Sequence, residues 1–390
     1  MSTSIRSALA LTGLAALALT AARPAAAQAT FTYTLTNLGT LGGIGSYGVG
    51  VNDSGQVVGY SNTAGDTTQH AFLSGANGSS LKDLGTLGGT DSVGYGVNAS
   101  GQVTGYSYTT NNATQHAFLS GANGSSLKDL GTLGGATSYG IGVNASGQVT
   151  GEAYTTGGSQ HAFLSGANGG SLKDLGTLGG ITSLGYGVNA SGQVSGYSYK
   201  AGSEYHAFLS GANGGSLKDL GTLGGTDSVG YGVNASGQVT GYSNTAGDTA
   251  QHAFLSGANG GTLTDLGILH GGVISEGHGV NASGQVVGKS TTTGGDSDAF
   301  LYSGGVITDL NTLIAPGSGF TLTDATSISD TGFITGHATN SAGLQYAFLL
   351  TPNAPAAVPE ASTTVSFGLL LVLGLGGAVI AAKRKKVVAS

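Results

Sequence analysis

The chain has 390 residues, among them 75 glycines and five prolines, with no cysteine, no tryptophan and only 8% charged positions. The missing cysteine excludes a disulfide scaffold, the lack of a Gly-X-Y register excludes collagen, and glycine and threonine on this scale resist helix and suit turns and strands. A formal net charge of −7 and 39% hydrophobic residues leave a Gly-rich all-β protein, long enough to bury a core.

In chain order, Arg6 and the apolar stretch from Ala8 to Leu19 come first, followed by Ala25-Ala26-Ala27. A basic n-region, a short apolar run and small residues are the layout of a secretory signal peptide. Residues 1–27 are therefore expected to be removed by signal peptidase between Ala27 and Gln28. The apolar run is too short to span a bilayer.

Residues 28–351 are dominated by repeats. Gly-Val-Asn-Ala-Ser-Gly-Gln-Val recurs with its Asn at 52, 98, 144, 189, 234 and 281, and Ser329 takes that place in a seventh, degenerate copy. His-Ala-Phe recurs with Phe at 72, 118, 163, 208 and 254, then as Asp298-Ala299-Phe300 and Tyr346-Ala347-Phe348. Leu-Gly-Thr-Leu-Gly-Gly begins at Leu38, Leu84, Leu130, Leu175 and Leu220, with variants at Leu266 and Leu310. The spacing of 44 to 48 residues leaves room for four short strands per copy. In the second copy these are predicted over Gly94–Asn98, Gln102–Tyr108, Gln115–Ser120 and Leu127–Leu133, with turns at Ala99-Ser100-Gly101 and Gly121-Ala122-Asn123-Gly124. Four strands per roughly 45 residues is the blade period of a β-propeller, and a seven-bladed ring is the expected fold. A β-solenoid is the alternative, although its rungs usually take roughly 20–30 residues. The order begins with a Leu-Gly-Thr-Leu phrase and ends without one, so the N-terminal strand is placed to complete the last blade. The phrases resemble the HAF family of extracellular repeats over roughly residues 36–350.

Within the repeats, His70, His116, His161, His206 and His252 occur one per copy beside core-type Ala and Phe, without metal-ligand spacing; they read as structural hydrogen-bonding groups. The Asn-Ala-Ser and Asn-Gly-Ser tripeptides read as hairpin turns, and so do Asn52-Asp53-Ser54-Gly55 and Asp296-Ser297-Asp298. Asp83, Asp129, Asp174, Asp219, Asp265 and Asp309 recur at one strand position and read as structural too. No Ser/His/Asp set or isolated carboxylate pair stands apart from the repeat, and the residues point to no metal and no cofactor.

Residues 352–364 form a Pro- and Ala-containing linker, 365–382 an uncharged apolar segment just long enough for a transmembrane span, and 383–390 a basic tail. Positive charge of this kind stays cytoplasmic, which places the body of the protein outside. Val358-Pro359-Glu360, the span and Lys383-Arg384-Lys385-Lys386 together resemble the PEP-CTERM sorting signal of Gram-negative bacteria. The resemblance implies an exosortase partner that removes the tail, and an association with exopolysaccharide and biofilm material. Where the usual motif has a second proline, this chain has Ala361. Setting both terminal signals aside removes six of twelve basic and one of nineteen acidic residues, so the body carries six lysines, no arginine and net charge −12. That body has no electrostatic footprint for nucleic acid.

The expected function is an exported, non-catalytic repeat protein of the cell surface or extracellular matrix, membrane-anchored before C-terminal processing. An extracellular glycan-acting enzyme is the alternative. The short first–second and third–fourth turns share one plain face. The variable second–third and fourth–first loops share the other, where recognition is expected. Asp91, Tyr95, Tyr186, Asp227, Tyr231, Glu276 and His278 are predicted in or beside the fourth–first loops, as carboxylates and aromatic surfaces for a ligand.

Overall fold

The structure is a computed structural model and describes residues 33–353. The signal peptide, its cleavage point, the sorting motif, the apolar span and the basic tail lie outside the described residues. Among those described, no helix is long and apolar enough to cross a membrane.

Each copy folds as an antiparallel four-stranded meander. In the second copy the strands are Gly88–Val97, Val103–Thr109, Gln115–Gly121 and Ser125–Asp129. The first strand therefore starts six residues earlier than predicted, because the Gly-Gly-Thr-Asp-Ser segment is extended and paired rather than looped. The other first strands are Gly42–Val51, Gly134–Val143, Ser183–Val188, Gly224–Val233, Gly271–Val280 and Phe320–Ile328. Each lies against the first strands of both neighbours, and Phe320–Ile328 against Gly42–Val51 closes the ring. This is a β-propeller, and ring closure overturns the solenoid alternative.

Closure uses the N-terminal strand. Tyr33–Asn37 pairs antiparallel with Gln345–Pro352, so that Tyr33 faces Pro352 and Asn37 faces Phe348. The last copy thus takes its fourth strand from the start of the chain. At the seam Asp53 Oδ1 accepts from Thr331 N at 3.1 Å, as Asp330 Oδ1 accepts from Ala282 N at 2.7 Å at the preceding junction; the other five copies carry Ala there.

Counted as sheets, the ring is five separate four-stranded blades and one eight-stranded sheet. This corrects the expectation of seven separate blades: the fifth and sixth meanders are joined by one parallel pair, Gln251 with Ile274. At the position of Ile274 the second and fifth copies carry Asp91 and Asp227, whose Oδ1 atoms accept from Gln69 N at 2.9 Å and Tyr205 N at 3.0 Å instead.

The core is distributed between blades. Phe118, fully buried, packs with Val103 of its own blade and with Val58, Ala71 and Leu73 of the preceding one. The equivalent Phe72, Phe163, Phe208, Phe254, Phe300 and Phe348 do likewise around the ring. Glycine permits this close approach: a Cβ on Gly96 would stand 2.7 Å from Ile141 O of the next blade, and one on Gly105 would collide with Val93 O of its own.

Polar repeats bolt the blades together. Asn98 Oδ1 accepts from Ser100 N and Gln102 N, capping its own turn, while Asn98 Nδ2 donates to Asn144 O at 3.0 Å. The same donation runs from Asn52 to Asn98, from Asn144 to Asn189, from Asn189 to Asn234 and from Asn234 to Asn281. Ser92, Ser138, Ser183, Ser228 and Ser275 are fully buried and accept the Ala N–H of the preceding His-Ala-Phe.

Candidate functional site

The repeated histidines are structural in arrangement. His70 Nδ1 lies 2.8 Å from Asp83 Oδ2, and His116, His161, His206 and His252 meet Asp129, Asp174, Asp219 and Asp265 at 2.7–2.8 Å, joining the third strand to the fourth. The sixth copy breaks the pattern, because Asp298 stands in the histidine's place opposite Asp309. Burial, and then Asp309, hold the Asp298 carboxyl above the usual range, and His270 compensates from the loop at 3.3 Å.

The channel between the first strands holds a cavity of about 710 Å³. Its lining comes from the three first-strand positions before the turn Asn or its Ser329 equivalent in every copy, joined by Leu184, Glu276 and Asp324 from two residues earlier and by Glu152 and Lys289 from the second strand. Three residues before the turn residue stand Val49, Tyr95, Ile141, Tyr186, Tyr231, His278 and Thr326. Five before it stand Tyr47, Val93, Tyr139, Leu184, Val229, Glu276 and Asp324, and eight after it, on the second strand, Tyr60, Tyr106, Glu152, Tyr197, Tyr242, Lys289 and His337. The last two sets are cross-strand neighbours: Tyr139 faces Glu152, Glu276 faces Lys289, and Asp324 faces His337.

Three tyrosines, Tyr95, Tyr186 and Tyr231, stand among the Val and Gly of the lining, and rings outside it pack on one another. Tyr186 meets Tyr231 edge-on at 5.0 Å, Tyr106 meets Tyr139 at 5.1 Å, and Tyr47 stacks on Tyr60 at 4.7 Å. Burial pushes the phenols of Tyr95, Tyr186 and Tyr231 well above their ordinary range, so they are neutral donors and aromatic surfaces at physiological pH.

Charge is confined to two sectors. In the sixth and seventh copies His278 Nδ1 is 2.9 Å from Asp324 Oδ1, His278 Nε2 is 3.2 Å from Glu276 Oε2, and Lys289 Nζ is 3.3 Å from the same oxygen. Burial alone would deprotonate His278, but the two carboxylates outweigh it and raise its pKa to about 9. Burial likewise opposes ionisation of Glu276 and Asp324, and their hydrogen bonds to His278 overcome it, holding both below the usual carboxylate range. His278 is thus an imidazolium donating from both nitrogens, engaged in a way that leaves no lone pair for base catalysis. Burial dominates at His337 beside it and keeps that ring neutral; its Nε2 is buried without a partner. In the third copy Glu152 stands without a counter-ion, one carboxylate oxygen buried and unpartnered, and burial raises its pKa to about 7.

Of the predicted site residues, the cavity brings together Tyr95, Tyr186, Tyr231, Glu276 and His278. They occupy first strands rather than loops. Asp91 and Asp227 do not join them; they lie outside the cavity lining, tied to the preceding blade. Sequence reading missed Glu152, Lys289, Asp324 and His337. Aligning the seven copies in columns would have found them, because charge enters those otherwise aromatic or aliphatic columns only in copies three, six and seven.

No family model and no curated protein matches the chain. Among solved structures it is similar to the β-propeller domain of the Trilobed protease from Pyrococcus furiosus, described as having an open velcro topology, at 8% identity and TM-score 0.52 over 83% of this chain and 99% of that one. It is similar also to a puromycin-hydrolyzing peptidase of Mycobacterium tuberculosis, at 11% identity and TM-score 0.51, over 86% of this chain and 58% of that one. TolB from Acinetobacter baumannii matches at 13% identity and TM-score 0.42, and this chain spans 64% of its length. The first two likenesses support the propeller fold; at these identities they carry no activity across.

Proposed function

We propose that this protein is an exported, surface- or matrix-associated propeller that binds extracellular glycan without cleaving it, using the central cavity. The resemblance of its repeats and C-terminal tail to the HAF and PEP-CTERM families supports the address, with signal peptidase and an exosortase as processing partners and exopolysaccharide as the associated material. The cavity is the observation that carries the ligand reading. Three neutral tyrosine faces with a few convergent carboxylates and two paired cations suit sugar rings, which present apolar faces and hydroxyl edges. The engaged state of His278 argues against hydrolysis there. Glu276 and Asp324 are both held ionised by one imidazolium, so neither is a proton donor.

Glu152 favours the second reading. A carboxyl raised to about 7 and an ionised Glu276 in one cavity have the charge pattern of a glycosidase acid and base. One experiment separates the two. The full chain, extracted in detergent, is screened on a glycan array and incubated with the polysaccharides it retains. Binding without chain shortening, lost in Tyr186→Ala, is the expected result. Depolymerisation lost in Glu152→Gln establishes the enzyme instead, and a silent array refutes both.

A further inference from the structure

The column eight residues after the turn Asn is tyrosine in copies one, two, four and five, as Tyr60, Tyr106, Tyr197 and Tyr242. Glu152 interrupts it. A shorter, charged side chain therefore replaces the phenol that four other copies carry in this column. The carboxylate has no ion pair or hydrogen bond among the described residues, and its Oε2 is buried. It is close enough to Tyr95, Tyr139, Tyr186 and Tyr197 to oppose the ionisation of each. The two cations of the cavity lining, Lys289 and His278, are both committed to Glu276 on another sector. An isolated buried carboxylate is costly to ionise unless a counter-charge arrives. Electron-rich ring faces around it attract the same sign of charge.

We infer that the Glu152 sector binds a protonated amine carried by the glycan, so that the ligand of the central cavity contains de-N-acetylated amino-sugar units. The inference rests on the glycan reading above and specifies its chemistry. The ammonium donates to the Glu152 carboxylate from the cavity while tyrosine faces contact the sugar ring. A hydroxyl in the same place makes a hydrogen bond but leaves the buried charge uncompensated, and an N-acetyl group has no charge to supply.

The test is calorimetric titration of the full chain in detergent with β-1,4-linked glucosamine oligosaccharides and with their fully N-acetylated counterparts. The expected result is at least tenfold tighter binding of the free-amine oligomer. Glu152→Gln, and Glu152→Tyr, which restores the residue of the other copies, should each abolish that preference while leaving the circular dichroism spectrum and unfolding midpoint intact. Equal affinity for both oligomers, or a preference that survives Glu152→Gln, overturns the amine inference; if Tyr186→Ala then abolishes binding, the glycan reading still stands. Failure of both oligomers to bind, with neutral glycans retained on the array, also removes the inference alone. Lysine-rich peptide bound more tightly than either oligomer, with the same Glu152 dependence, overturns the glycan as source of the amine.

Discussion

Replacing Asp324 by Asn removes the carboxylate 2.9 Å from His278 Nδ1 while keeping the side chain's size. The buried imidazole has its pKa raised from an ordinary 6.5 to about 9, and at roughly 1.4 kcal/mol per pH unit this is a preference for the charged form of about 3 kcal/mol. Because the folded value lies above the unfolded one, this stabilisation is complete below the unfolded pKa and is lost as pH rises through about 9. Glu276 and Asp324 are shifted the other way. Their contribution is present above the ordinary carboxylate range and is lost as pH falls through their lowered values. Asp324→Asn leaves Glu276 to hold part of the imidazolium, and His278 can release its proton rather than remain an unpaired buried cation. The expected loss is therefore about 2 kcal/mol near neutral pH, below the ~3–5 kcal/mol typical of a broken buried pair. Urea denaturation of the parent and the variant at pH 6, 7 and 10 measures it, with NMR titration of the His278 ring alongside. The stability difference should shrink at pH 10, where the parent has lost its imidazolium too. A difference that stays constant from pH 6 to 10, or a parent His278 that titrates near 6.5, would refute the reasoning.

Deleting residues 33–37 should expose the amides among Phe348–Thr351 that pair with this strand, raising their hydrogen-exchange rates at least tenfold while the third and fourth copies keep their protection; an unaffected last blade would show that closure does not depend on this strand. Phe208→Ala empties a fully buried inter-blade position and should cost about 3–5 kcal/mol by urea unfolding. Asn144→Ala removes both a turn cap and the donor to Asn189, for an expected loss of about 1–3 kcal/mol by the same assay. Ser329→Ala should cost less, because Ser329 contributes a turn acceptor to Phe333 N and has no amide donor. Finally, mass spectrometry of the native protein should find residues 1–27 and the basic tail absent; a mass retaining Lys383–Ser390 would mean that the sorting signal is not cut.

Much of the architecture was legible because a repeated chain states its fold several times over. The period, the turn residues and the missing last Leu-Gly-Thr-Leu phrase depend on local backbone chemistry, and each copy confirms the others. Asn98 as a turn cap and His116 as a structural partner follow from the same redundancy. The start of the first strand was misread for a local reason too. Gly-Gly-Thr-Asp-Ser carries turn composition, and its extension is imposed by pairing with Val103–Thr109 rather than by its own propensity.

The site was legible only in part. Tyr95, Tyr186, Tyr231, Glu276 and His278 were expected in or beside the fourth–first loops as carboxylates and aromatic surfaces, and all five lie on first strands. Asp91 and Asp227 looked identical in kind, and only the neighbouring blade reveals that they accept backbone N–H groups. Glu152 and Asp324 are 172 residues apart, and nothing local distinguishes either from a surface carboxylate. By itself the sequence determined the unit, its strands and where the ring would join, since these depend on spacing and on residues within one copy. The tertiary structure alone decided which columns face the axis, that the fifth and sixth meanders join through Gln251 and Ile274, and that one carboxylate is buried unpaired while two others share an imidazolium. Burial and pairing across blades are properties of the closed ring, and no single copy contains them.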